Sequence, residues 1–368
     1  MLNPSRIEFA RTRRRWTKTR LAEELGVQSR AIQAYEAGEY EPEPERLTQI
    51  ASLLQFPVSF FSGPDLPSIS EHTASFRSMS KMSAALKDSA LNAGALAFLL
   101  NHWIESRFSL PVAQLPDLSD LSPEEAAATL RRIWGLGHAP ISNMIHLLES
   151  KGIRVYSLAI EAREVDAFSV WHEGTPFVFL NTFKSAEHSR FDAGHELGHL
   201  VRDRHSMLHG KAHSPEMERE ANAFASAFLM PRDDVVARRP PMVTVPQLMT
   251  LKGYWGVSLA ALAFRLNSLG LLTEWTYRTL CIEIAKKGYR TKEPMPMRQE
   301  TSQMLAKVFD VLRDEGVKKA DIAAELCLTL EEVNALTFML TLSSVSTGDD
   351  IDLAATSKSR APQLRVVR

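Results

Sequence analysis

Cysteine is nearly missing from this 368-residue chain, with Cys281 and Cys327 as its two. They lie far apart in sequence, which excludes a disulfide framework and any cysteine-based metal motif. Both read as small hydrophobes inside a core. No apolar run reaches the length of a membrane-spanning helix, and residues 1–20 are too rich in arginine for a signal peptide. A cytoplasmic protein with no membrane partner is therefore expected. An excess of one charge is lacking too: 43 Lys+Arg stand against 44 Asp+Glu, a formal net charge of −1. Generic polyanion binding is thereby excluded. No internal repeat is found. With 45% apolar residues, the chain can support two or three cored domains.

What is present centres on Arg190-Phe191-Asp192-Ala193-Gly194-His195-Glu196-Leu197-Gly198-His199. At roughly 100° per residue, positions i and i+4 share one helical face, so His195 and His199 can offer ring nitrogens to a single cation. Glu196 sits beside them, where its carboxylate can reach an activated water without being a ligand. The competing reading is an amphipathic helix that happens to carry two histidines, and context decides between the two. Upstream, Phe168–Trp171 and Pro176–Asn181 read as strands of a hairpin around the turn His172–Thr175. A peptide could add to the 176–181 strand. Downstream, Glu216 to Pro231 is helical in period, with Ala221, Phe224, Ala225, Phe228 and Leu229 on one apolar face.

An open zinc site needs a third protein ligand. Glu218 shares a face with Ala221, Asn222 and Ala225, which points it toward whatever that face packs on. Glu216 and Glu220 lie off the stripe. His205, His209 and His213, in the Gly- and Ser-containing connection 202–215, compete with Glu218.

The N-terminus carries a separate signal. Helical patterning from Ile7 to Arg15 is followed by Thr17–Val27 and then Gln28–Gly38. Ala22, Gly26, Val27 and Ile32 have the spacing that lets two short helices cross closely and leaves the second free for a major groove. Arg6, Arg11, Arg13, Arg14, Arg15, Lys18 and Arg20 face a single acid, Glu8, within the first twenty residues. That is a local electrostatic footprint for phosphate.

Two resemblances follow. SRFDAGHELGHL, then Glu218-Arg219-Glu220-Ala221-Asn222-Ala223-Phe224-Ala225 and Phe228-Leu229-Met230-Pro231, resembles the ImmA/IrrE family of metallopeptidases over residues 140–270 or so. The resemblance implies a gluzincin-type site with His195, His199 and Glu218 on Zn2+ and Glu196 as general base. It departs from the family pattern at Gly194, where alanine is usual, and at Asp203, where a histidine is common. The N-terminal stretch, with Pro42-Glu43-Pro44 and Leu47–Phe60, is similar to the Xre/Cro-type DNA-binding domain. That resemblance suggests Gln28, Ser29, Arg30 and Gln33 as contacts to a double-stranded DNA operator, and operator palindromy points to a homodimer.

The expected fold class is mainly α with a small β-sheet (α+β): an N-terminal all-α helix-turn-helix domain, a zincin-like metallopeptidase core and a C-terminal helical region. The expected divisions are 1–63 for DNA binding, 64–110 for linker and long helix, 111–272 for the zinc metallopeptidase domain, 273–342 for the C-terminal helices and 343–368 for a disordered tail. Within the long helix, Leu86, Ala90, Ala93, Ala97, Leu100 and Ile104 step along one face, and Phe76-Arg77 and Trp103 are candidates for an interdomain contact. Lys318–Leu328 followed by Glu331–Leu336 echoes helix-turn-helix spacing without the turn glycine, and reads as a helical hairpin for packing ahead of a second DNA-binding unit. The function expected is a DNA-binding transcriptional regulator with a zinc-dependent endopeptidase that cleaves a repressor or itself. The alternative is a regulator whose peptidase-like domain is a metal or ligand sensor.

Overall fold

A computed structural model describes residues 1–69, 82–158, 167–203, 214–341 and the backbone of 365–366. Four helices open the chain: α1 (Pro4–Arg13), α2 (Lys18–Leu25), α3 (Ser29–Ala37) and α4 (Pro44–Leu54). Three of them begin where the sequence provides a start. The Asn3 side chain accepts from the Ser5 amide and Thr17 accepts from the Arg20 amide, while proline stands in the first turn of α1 and α4. The turn between α2 and α3 needs a left-handed residue, and Gly26 supplies it at φ 66°. Ile7, Leu21, Ile32, Ile50, Leu54, Phe60 and Phe61 close a core between these helices.

Helix α5 (Ala84–Glu105) follows, capped by Ser83. The face predicted from its sequence is buried from Leu86 to Ile104. Leu96, Phe98 and Trp103 on its other sides are buried as well, because α5 lies between α1 and the sheet. Trp103 donates to Glu325 from its indole nitrogen, 2.7 Å away, which makes it a contact to the C-terminal helices. Phe76 and Arg77 lie outside the described residues.

Next come β1 (Phe108–Ser109), α6 (Pro123–Ile133), α7 (Met144–Ser150), β2 (Arg154–Ser157), β3 (Ala167–His172) and β4 (Thr175–Leu180). The sheet order is β2-β4-β3, with β2 parallel and β3 antiparallel to β4. The expected hairpin is present, tightened to a two-residue turn with Glu173 at φ 48° and Gly174 at φ 79°. The sequence reading missed β2. Its position corrects one expectation: β4 is paired on both sides, so the 176–181 strand has no edge to offer a peptide, and the outer strands of the sheet are β2 and β3.

Helices α8 (Ala186–Arg202) and α9 (Pro215–Leu229) pack closely on one another. They are followed by α10 (Arg232–Arg238), α11 (Val245–Trp255), α12 (Leu259–Ser268), α13 (Glu274–Lys286), α14 (Gln303–Asp314), α15 (Lys319–Glu325) and α16 (Leu330–Thr337). A buried apolar cluster runs continuously from α1 to the residues after α16. Cys281 and Cys327 are half-buried rather than enclosed, and Cys327 takes the left-handed turn position between α15 and α16 at φ 54°. Of the tail after 341, the described part is β5 (Arg365–Val366), paired with β1. The rest of 343–368, expected to be disordered, lies outside the described residues. No helix among the described residues is long and apolar enough to cross a membrane.

Candidate metal centre

Helix α8 starts at Ser185, whose hydroxyl accepts from the His188 amide, and it runs unbroken through His195 and His199. Helix α9 starts at Ser214 and carries Glu218 in its first turn. The two helices come close because Gly198 has no side chain. A Cβ there would lie 3.0 Å from the Phe224 ring and 3.4 Å from the Ala221 Cα. This close crossing brings Glu218 over the two imidazoles.

His195, His199 and Glu218 form a group whose ligand atoms all lie within 4.8 Å of one another. The separations are 3.1 Å between the two Nε2 atoms, 3.3 Å from His195 Nε2 to Glu218 Oε2, and 3.4 Å from His199 Nε2 to Glu218 Oε1. Donors on a tetrahedral ion with bonds of about 2.0–2.1 Å are spaced roughly 3.3 Å apart, and the two imidazole nitrogens lie at that spacing from each other and each from one oxygen of the Glu218 carboxylate. The rings are set by their other nitrogens. His195 Nδ1 lies 3.2 Å from Asn222 Oδ1, and Asn222 Nδ2 donates to the Glu218 carbonyl, which fixes the amide's orientation. His199 Nδ1 lies 2.6 Å from Asp203 Oδ2. With each Nδ1–H donated outward, both Nε2 lone pairs converge on one point.

The electrostatics also favour a cation there. Burial opposes charge on the His199 ring, yet Asp203, Glu218 and Glu196 outweigh it and push this imidazole up to about 10. Burial likewise opposes charge on Glu218, but the two imidazoles hold its carboxyl well below the usual range. The carboxylates of Asp203, Glu218 and Glu196 around the rings supply the negative charge that a bound cation would offset.

Glu196 is buried beside this group, and its Oε2 accepts from Ser169 Oγ on β3 at 2.7 Å. Sequence reasoning missed Ser169, because a strand-to-helix contact 27 residues apart leaves no trace in local periodicity. Of the rival third ligands, Glu216 is exposed and Glu220 pairs with Arg202 at 3.1 Å. His205, His209 and His213 lie outside the described residues. Arg190, one turn before the motif, is buried against Glu300 and the Ile141 carbonyl, and so anchors α8 to the segment that leads into α14.

In the N-terminal unit, Gln28, Ser29, Arg30 and Gln33 are all exposed and adjacent at the start of α3. The basic footprint is smaller than the count of early arginines suggested. Arg6 is buried, donates to the Pro64 carbonyl and lies over the Phe60 ring. Arg11 grips Glu36, which Lys18 also approaches at 3.2 Å. Arg13 and Arg14 both bind Glu332 on α16, at 2.9 and 2.7 Å. Arg15 and Arg20 remain exposed, the latter over the Trp16 ring. The linear count failed because Glu36 and Glu332 lie outside the first twenty residues.

Two family models match the chain. Residues 148–267 match a peptidase-family model described as the IrrE N-terminal-like domain, and residues 7–61 match a helix-turn-helix model. No curated protein matches the chain.

Proposed function

We propose, starting from a chain that fuses an Xre-type helix-turn-helix to an ImmA/IrrE-like domain, that it is a transcriptional regulator with a working zinc endopeptidase, active in the cytoplasm. The observation that carries this reading is the convergence of two imidazole nitrogens and the Glu218 carboxylate, with separations of 3.1–3.4 Å, and Glu196 held beside them by Ser169. In this proposal His195, His199 and Glu218 hold Zn2+, which when bound supplies Lewis acidity to a scissile carbonyl and to water. Glu196 takes the proton from the attacking water and returns it to the leaving amine. An extended peptide adds its backbone to β3, an outer strand of the sheet and the one that carries Ser169. Gln28, Ser29, Arg30 and Gln33 read the operator as part of a homodimer, and the protein cut is a repressor, either this chain or a partner at the same operator. We take 1–63 as the DNA-binding unit, 64–110 as the connection with its long helix, 111–272 as the peptidase unit and 273–342 as the C-terminal helices.

The test is Glu196→Gln. Wild type and variant are expected to carry equal zinc, near one ion per chain, with a new fragment produced by wild type alone from candidate repressors or from itself. Metal-dependent cleavage by the variant would remove Glu196 from the base role.

A second reading, a metal sensor without proteolysis, is favoured by one observation: α16 joins the DNA-binding unit to the remainder through Glu332. Zinc-dependent operator binding that survives Glu196→Gln, with no fragment from either protein, would select that reading.

A further inference from the structure

We infer that Asp203 is a positioning residue that fixes the His199 ring for metal binding; this rests on the metal-site reading above. Asp203 is the residue that ends α8, and its amide donates to the His199 carbonyl at 2.9 Å. A carboxylate at a helix C-terminus stands against the macrodipole, so nothing in helix formation calls for an acid there. Its neighbour Arg202 pairs with Glu220 and the Leu121 carbonyl instead. The carboxylate turns back by one helical turn and meets His199 Nδ1 at 2.6 Å, against a ring that is fully buried.

That contact has two consequences. Asp203 accepts the Nδ1–H, which leaves Nε2 as the lone-pair nitrogen and aims it at His195 Nε2 and Glu218. It also makes the imidazole more electron-rich than a neutral partner would. His195 is supported differently, by the neutral Asn222 amide at the longer distance of 3.2 Å. The two histidine donors are therefore unequal, and His199 is the more strongly preorganised. Asp203 sits on the Nδ1 side of the ring, so it acts through His199 rather than as a ligand.

The test measures metal binding to the full chain without reference to proteolysis. Zinc affinity is read by competition with a chromophoric chelator, and the visible spectrum of the Co2+-loaded protein reports the ligand geometry. Asp203→Ala is expected to weaken zinc by about 10- to 100-fold and to shift and weaken the Co2+ bands. Asp203→Asn, whose amide oxygen can still accept the Nδ1–H, is expected to recover most of that loss. Where the alanine variant does not fold, Asp203→Ser, too short to reach the ring, is held to the same expectation. Wild-type affinity and spectrum in a folded Asp203→Ala or Asp203→Ser protein would overturn the inference while leaving the metal site intact. Failure of the wild type itself to take up Zn2+ or Co2+ would overturn the metal-site reading, and this inference with it.

Discussion

Ser169 and Gly194 show what a single side chain, or its absence, does beside the metal centre. The Ser169 hydroxyl is buried and donates to the carboxylate of Glu196. Removing a hydrogen bond to a charged group costs about 1.5–3 kcal/mol, so Ser169→Ala should lower kcat roughly 10- to 100-fold. KM and zinc content should hold, because the hydroxyl touches neither substrate nor ligands in the proposed scheme; steady-state kinetics with metal analysis checks this. Gly194 differs in kind. A Cβ there would meet Ala225 and Leu229 at 3.5–3.6 Å, ordinary contact distances. Gly194→Ala should therefore raise stability by about 0.5–1 kcal/mol through helix propensity alone, visible as a higher denaturation midpoint. At this scale the sequence disclosed the residues tied by helical spacing: His195, Glu196 and His199 on one helix, and Glu218 through its position on the apolar face of the next. The partners that orient them were beyond it. Ser169 comes from a strand, and Asn222 and Asp203 became meaningful once both rings had directions.

Among the elements, α14 begins in an unusual way. Glu149 at the end of α7 receives the Gln303 and Met304 amides and contacts the Ser302 hydroxyl, so a carboxyl from another helix closes the first turn. Burial pushes this carboxyl up to about 7, despite those donors and nearby Arg154. Its folded value thus exceeds its ordinary 4.5, and the folded state holds the proton more tightly. The resulting stabilisation is complete below about 4.5 and disappears as pH rises through 7. Thermal unfolding should therefore show Tm falling between pH 5 and pH 7 by more in the wild type than in Glu149→Gln, whose amide mimics the protonated form. A Tm profile identical in the two proteins would remove Glu149 as the source. The hairpin was legible as an element because its turn residues and β-rich runs are local signals. β2 was not, because its four residues are all buried and show no alternation. The α15–α16 pair kept its helix-turn-helix spacing, with Cys327 in the glycine position. Its second helix is buried against α5 and β2, which agrees with a packing role over a second DNA contact.

For the molecule as a whole, the decisive contact joins its two ends. Glu332 is 1% exposed and receives Arg13 and Arg14 of the DNA-binding unit. Breaking a buried ion pair by removing one partner leaves the remaining charge without compensation, at about 3–5 kcal/mol. Glu332→Ala should therefore destabilise the full chain by that order in chemical denaturation, whereas truncating the exposed Glu331 should change little. Domain order could be read from the motifs, since each is a local string. The docking of one unit on another could not, because its charges are separated by more than three hundred positions and pair only after folding.

That separation also imposes an order on biosynthesis. Arg13 and Arg14 leave the ribosome more than three hundred residues before Glu332. Until Glu332 emerges, the nascent helix-turn-helix carries two arginines without their native counter-charge, and the helix that will receive them is still unmade. A message cut short before the Glu332 codon would thus yield the segments that match both family models, yet without the ion pairs that tie α1 to α16.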